Sequence, residues 1–81
     1  MKDYKGVLGS RVKITVNGID QEVPPDTSIS QLLVRLNIPP ERISVEINLD
    51  VIRREAYDHS HLKDGDQVEI ISFFGGGADV G

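Results

Sequence analysis

The sequence contains no cysteine, which excludes a disulfide scaffold, a thiolate metal site and a cysteine nucleophile. It also contains no apolar run of transmembrane length, and its N-terminus shows no apolar signal-peptide segment. We therefore expect a cytoplasmic protein that does not associate with membranes. The 81 residues are 38% hydrophobic, which predicts one small globular domain with a modest core.

Basic residues are in the minority, since nine Lys and Arg stand against thirteen Asp and Glu. Affinity for nucleic acid comes largely from Lys and Arg on phosphates, so this balance argues against a nucleic-acid partner. Residues 1–13 hold four of the basic groups and one acidic group, which leaves five basic and twelve acidic groups in the remainder. Such an acidic body favours a basic partner surface, or it serves solubility alone.

Residues 11–23 predict a β-hairpin. Apolar and polar side chains alternate over residues 11–16, as in a half-buried strand. Asn17-Gly18 then gives a strong hairpin signal, because both positions of such a turn need a positive φ. The returning strand covers residues 19–23 and ends at two prolines, which cannot donate to the ladder.

One main helix is predicted after the hairpin. Thr27 or Ser28 can cap its first turn. Spacings of three and four residues then give one apolar stripe, formed by Ile29, Leu32, Leu33 and Leu36. Asn37 and the prolines at 39–40 end the helix. We expect the helix to lie across one face of a sheet and to supply much of the core.

The second half of the chain predicts the remaining strands, over residues 43–47, 51–52 and 67–74. A hairpin, a crossover helix and a last strand that returns to the first predict an α+β, β-grasp (ubiquitin-like) fold. Its mixed sheet has four to five strands, with the first and last parallel in the centre and one helix packed on one face. The expected organisation is an N-terminal arm over 1–10, the β-grasp domain over 11–74 and a flexible glycine-rich tail over 75–81.

Three consecutive glycines, Gly75, Gly76 and Gly77, follow the last predicted strand. They bury no side chain and each costs backbone entropy, so they serve no packing purpose. A segment without side chains suits a different task, which is to enter a narrow slot and present a carboxylate there.

Five segments carry a resemblance to a known family. They are Val-Asn-Gly at 16–18, Ser-Ile-Ser-Gln-Leu-Leu-Val-Arg-Leu at 28–36, Val-Glu-Ile-Asn at 45–48, Leu-Lys-Asp-Gly-Asp-Gln-Val-Glu-Ile at 62–70 and Phe-Phe-Gly-Gly-Gly at 73–77. In order and spacing they resemble the ThiS family of sulfur carriers, within the ThiS/MoaD ubiquitin-like superfamily. The resemblance covers residues 11–77, although none of these segments is decisive alone.

The resemblance implies a carrier protein, not an enzyme, with no bound cofactor and no catalytic side chain. A ThiF-like adenylating enzyme would use ATP to activate the carboxylate of the terminal glycine, which then becomes a thiocarboxylate. A thiazole synthase (ThiG-like) would take this sulfur for the thiazole ring of thiamine. The resemblance makes Gly75, Gly76 and Gly77 the sulfur-carrying tail, with Gly77 as the reacting residue.

The sequence departs from the family pattern after Gly77, because Ala78 to Gly81 follow and an amide carbonyl cannot be adenylated. Three explanations are open. A processing peptidase removes Ala78 to Gly81, or this segment is foreign to the natural protein, or it is retained. If it is retained, either Gly81 is the acceptor or the chain carries no sulfur.

Two alternative functions are also open beside the thiamine carrier. One is a MoaD-like carrier for molybdopterin or for another sulfur pathway. The other is a non-catalytic ubiquitin-like binding module that uses its sheet face and never carries sulfur.

Ile71, Phe73 and Phe74 are the predicted partner-binding residues. Neighbouring residues of a strand point to opposite faces, so one phenylalanine is expected in the core and the other beside the tail. An exposed aromatic side chain there suits a partner interface. We expect Ile71 and Phe73 to face the partner, whereas a bulge would instead bury both phenylalanines. The free carrier is expected to be a monomer.

No metal site or catalytic residue is predicted elsewhere. His59 and His61 lie in a polar stretch, and a zinc site needs three or four ligands. Asp64 and Asp66 flank a glycine, as in a tight turn. The arginines at 53–54 could meet an acidic partner, but pairing with neighbouring acidic side chains is favoured.

Overall fold

A computed structural model describes residues 11–73 of the chain. The sheet strands within this range are β1 (Val12–Val16), β2 (Ile19–Val23), β3 (Ile43–Ile47), β4 (Asp50–Ile52) and β5 (Gln67–Ser72). The helical elements are α1 (Ile29–Leu36) and two 3-10 turns, Pro40–Arg42 and Arg54–Ala56. The predicted arm, the tail over 75–81 and Phe74 lie outside the described residues.

The five strands form one mixed sheet in the order β2-β1-β5-β3-β4. β5 runs parallel to β1 and antiparallel to β3, and the two outer pairings are antiparallel. The predicted α+β, β-grasp class is confirmed, with the first and last strands side by side and parallel. Three boundaries differ, because β1 begins at Val12 instead of residue 11, β4 begins at Asp50 instead of Val51, and β5 ends at Ser72 instead of Phe74. Phe73 follows in a bend.

Helix α1 begins and ends at the predicted residues. Ser28 is the N-cap, where its side chain accepts a hydrogen bond from the backbone N–H of Gln31 and the Gln31 side chain accepts one from the N–H of Ser28. The Thr27 hydroxyl, the other predicted cap, donates to the carbonyl of Pro24 at 2.7 Å. Asn37 ends the helix in the left-handed conformation, at φ 61°.

The core lies between α1 and one face of the sheet. Its fully buried side chains are Ile29, Leu32, Leu33, Val23, Val45 and Val68. Each such side chain contributes roughly 1.5–3 kcal/mol by leaving water. Within residues 11–73, no helix has the length and apolar character that crossing a membrane requires.

Tyr57 is a core residue that the sequence analysis missed, with only 4% of its surface exposed. It lies in the polar stretch after β4, where no period marks a buried position. Backbone hydrogen bonds tie this stretch to the start of α1, from the N–H of Ser30 to the carbonyl of Tyr57 at 3.1 Å and from Ile29 to Ser60 at 3.0 Å. These bonds hold Tyr57 against the core.

Candidate functional site

Strand β5 leads directly to the predicted tail, so its contacts decide where the tail begins. It pairs with β1 at Gln67 and Val68 only, but with β3 from Val68 to Ser72. The N–H of Phe73 donates to the carbonyl of Arg42 at 2.9 Å, which extends the contact on the β3 side by one residue. Backbone hydrogen bonds therefore hold the chain in place as far as Phe73, which is the last residue that the structure describes.

The side chain of Asn17 replaces the missing β1 contacts at the end of β5. Its Oδ1 accepts a hydrogen bond from the N–H of Ile70 at 2.7 Å, and its Nδ2 donates to the Ile70 carbonyl at 3.3 Å. The backbone N–H of Asn17 donates to Val68 at 2.8 Å. An amide side chain can satisfy both backbone groups of one residue because it carries a donor and an acceptor.

Asn48 makes the equivalent contacts at the beginning of β5. Its Oδ1 accepts from the N–H of Gln67 at 2.9 Å, and its backbone N–H donates to the Gln67 carbonyl at 2.8 Å. Its Nδ2 donates to the carboxylate of Asp66 at 3.0 Å. The sequence analysis placed Asn17 and Asn48 in turns but missed that both hold the strand that carries the tail.

Two of the predicted partner-binding residues are exposed at the end of β5. Ile71 is 44% exposed and Phe73 is 54% exposed, whereas Val68 is buried on the helix side. The bulge that would bury both phenylalanines is wrong for Phe73. Binding of a partner by these residues stays a prediction, and Phe74, Gly75, Gly76 and Gly77 lie outside the described residues.

The face of the sheet opposite α1 carries a pair of acidic residues that the sequence analysis did not single out. Glu46 of β3 and Glu69 of β5 are directly opposite each other in the register. On the other side of Glu46, β4 places Val51, which is 65% exposed. The alternation of each strand predicts which residues share a face, but only the register shows that these two carboxylates are neighbours.

Of the remaining polar candidates, the two aspartates have structural roles. The carboxylate of Asp64 accepts from the N–H of Lys13 at 2.8 Å, and that of Asp66 accepts from the N–H of Lys63 at 2.8 Å. His59 and His61 are exposed and line an open groove of about 640 Å³. Among residues 11–73, no three His, Asp or Glu side chains are grouped as metal ligation would require.

Arg53 forms the expected surface ion pair with Glu55, at 3.4 Å between the nitrogen and the carboxylate oxygen. A backbone hydrogen bond at Glu55 and then the charge of Arg53 lower the pKa of the Glu55 carboxyl. Both side chains are largely exposed, so the pair adds little to stability. The neighbouring Arg54 donates to the carbonyl of Glu41 at 3.5 Å.

Comparison with known proteins finds a family model and relatives that agree in their family. A family model described as the ThiS family matches residues 9–77. The sulfur carrier protein ThiS of Bacillus subtilis (strain 168) is 35% identical over 65 residues, which cover 79% of this chain and 98% of that protein. The crystal structure of a thiamine biosynthesis protein (ThiS) from Geobacter metallireducens superposes with a TM-score of 0.70 at 37% identity, over 76% of this chain and 94% of that chain.

A longer relative has a different name. A thiazole synthase of Paramagnetospirillum magneticum (strain ATCC 700264 / AMB-1) is 31% identical over 68 residues, which cover 84% of this chain and 21% of that protein. The chain thus spans about a fifth of the length of this relative. The matched segment is therefore a small part of a protein that is named for its synthase activity.

Proposed function

The chain belongs to the ThiS family, and we propose that it is a sulfur carrier for thiamine biosynthesis that acts as a co-substrate and not as an enzyme. The observation that carries the proposal is the family match, which reaches Gly77 and so includes all three glycines after β5. The similarity to a named sulfur carrier over 98% of that carrier's length supports it.

The reacting group in this proposal is the carboxylate of Gly77. A carboxylate is a poor electrophile, so an adenylating enzyme (ThiF-like) first joins it to the α-phosphate of ATP, which releases pyrophosphate. A sulfur nucleophile then displaces AMP from the acyl-adenylate, and a thiocarboxylate results. Because Gly75 and Gly76 have no side chains, they let the tail enter a channel that larger residues would block.

Cleavage after Gly77 is a necessary part of the proposal, because the carbonyl of Gly77 is an amide as long as Ala78 follows. We assign this step to a processing peptidase. Direct use of Gly81 is less favourable, since Ala78, Asp79 and Val80 would carry side chains into the channel.

The proposed partners are the adenylating enzyme and a thiazole synthase (ThiG-like). The exposed Ile71 and Phe73 would contact them beside the tail, together with Phe74. Since the carrier must meet an enzyme that consumes ATP, the reaction belongs in the cytoplasm. The relatives named as sulfur carrier and thiazole synthase favour the thiamine pathway over a molybdopterin carrier.

Intact-mass measurement of purified variants tests the proposal. A chain that ends at Gly77 is incubated with ATP, sulfide and the adenylating enzyme of the same organism. We expect it to gain the mass of one oxygen-to-sulfur exchange. The same reaction is run on a chain that continues to Gly81, and on a control that ends at Gly75 because Gly76 and Gly77 are deleted.

Neither of these two variants should gain sulfur, and circular dichroism should show that both remain folded. A thiocarboxylate on the chain that continues to Gly81, or on the one that ends at Gly75, would contradict the assignment of Gly77. The absence of a thiocarboxylate on all three would contradict the carrier function itself.

A further inference from the structure

Within residues 11–73, the acidic pair of Glu46 and Glu69 forms no ion pair with a Lys, Arg or His side chain. The two residues are register partners between β3 and β5, and their side chains lie on the open face of the sheet. Like charges that are directly opposite each other on a sheet are destabilising. Arg11 pairs with Glu22 and Arg53 pairs with Glu55, so these two arginines are engaged with other carboxylates.

On the other half of the same face, acidic and basic side chains are placed opposite each other. There the register places Lys13 opposite Glu22, and Arg11 approaches the same carboxylate to 3.6 Å. Solubility needs negative charge on the surface, but it does not need two carboxylates side by side. The pair on β3 and β5 is therefore better explained by a cation that is supplied from outside.

Apolar side chains flank this acidic pair on two sides. Val51 is opposite Glu46 on β4, and Ile71 follows Glu69 on the same side of β5. Their exposed fractions are 65% and 44%, and Phe73 continues this surface to the start of the tail. A partner that covers it would remove apolar area and both carboxylates from water together.

We propose that Glu46 and Glu69 form an acidic docking site for a basic side chain, an arginine or a lysine set among apolar residues, on the enzyme that adenylates the tail. An arginine suits the geometry best, because its planar guanidinium can donate to two carboxylates at once. The partner's cation would remove the repulsion between Glu46 and Glu69 in the complex. The site rests on the proposed carrier function and adds the chemistry of the partner surface.

Glu69 precedes Gly77 by eight residues in the sequence, and this separation from the reacting residue predicts which kinetic constant the pair controls. A docking contact far from the chemistry is made equally before and during adenylation, so it lowers the KM for the carrier and leaves kcat unchanged. Charge complementarity between partners also speeds their encounter, and this effect weakens as salt increases.

The test is steady-state adenylation with the carrier ending at Gly77 as the varied substrate. The variant is Glu46→Gln/Glu69→Gln, which keeps the shape of both side chains. The control is Asp20→Asn/Asp26→Asn, which changes the net charge equally at two exposed carboxylates, one in β2 and one after it, and β1 separates β2 from β5. We expect the KM of the first variant to rise about tenfold at low salt with kcat unchanged, and that of the control to rise less than about twofold.

Stability separates docking from folding in this experiment. Removal of two opposed like charges should leave the melting temperature of the Gln variant unchanged or higher, so a raised KM would not come from unfolding. Equal KM values for the variant and the control, or a loss in kcat alone, would overturn the docking site. A carrier that is not adenylated even without these substitutions would overturn the proposed function and the docking site with it.

Discussion

The face of the sheet that α1 covers and the face that it leaves open are built by the same strands. On β5, Val68 is buried under the helix, whereas Glu69 and Ile71 face away from it. On β3, Val45 is fully buried and its neighbour Glu46 belongs to the open face. Because side chains alternate along a strand, consecutive residues separate folding from the recognition that we propose for the open face. Substitutions should therefore affect stability and partner binding independently.

The largest expected effect on stability comes from the covered face. Leu33→Ala should lower the free energy of unfolding by about 2–5 kcal/mol, because it leaves a cavity beneath α1. The matched change on the open face, Ile71→Ala, should alter it by less than about 0.5 kcal/mol. Urea denaturation of both variants measures the difference. Similar losses in the free energy of unfolding for Leu33→Ala and Ile71→Ala would contradict the distinction between the faces.

A smaller effect on stability is expected at Asn17, whose side chain contacts the backbone edge of β5 and neither face of the sheet. Asn17→Gly keeps the positive φ of the turn (51°) but removes both side-chain hydrogen bonds to Ile70. We expect a loss of roughly 1–2 kcal/mol and faster hydrogen exchange at the Ile70 amide. In Asn48→Gly, the control, the Gln67 amide should exchange faster while that of Ile70 stays slow. Slow exchange at Ile70 in Asn17→Gly would contradict the role of this side chain.

The smallest effect on stability is expected at the two hairpin turns, where substitutions in the first and second turn should change stability in opposite directions. Asn17-Gly18 and Asn48-Leu49 have the same left-handed backbone, with φ values of 51° and 85° in the first turn and 52° and 75° in the second. Leucine is strained in this conformation, and Leu49 is also 82% exposed. Leu49→Gly should therefore stabilise the protein by about 0.5–1 kcal/mol.

Gly18→Ala is the reciprocal test of the turns. A Cβ atom at Gly18 meets no atom within 4 Å, so only the backbone conformation opposes the substitution. We expect a loss in stability similar to the gain in Leu49→Gly. Thermal unfolding of both variants checks the signs, and destabilisation by Leu49→Gly would show that the leucine side chain packs in a stabilising contact.

The parts of the fold that were predicted correctly depend on local signals. Asn17-Gly18 requires two positive φ values, Ser28 and Asn37 bound the helix, and alternation marks the strands. These signals act within a few residues, so they can be recognised from the sequence alone. The end of β5 was placed at Phe74 instead of Ser72, because apolar residues continue past the point where pairing ends.

Features that join distant parts of the chain were missed. Asn17 contacts Ile70 across 53 residues, and its role depends on β1 and β5 being neighbours. Glu46 and Glu69 become a pair only through the register of β3 and β5. Tyr57 is buried in a polar stretch because backbone hydrogen bonds to the start of α1 hold it there. In each case tertiary pairing and not local pattern determines the contact.

The most direct test of the carrier function is the intact mass of this protein recovered from its native cells. The account predicts a chain that ends at Gly77, with the mass of one oxygen-to-sulfur exchange on part of the population. A chain in which Gly77 is still joined to Ala78, with no gain of sulfur, would contradict it.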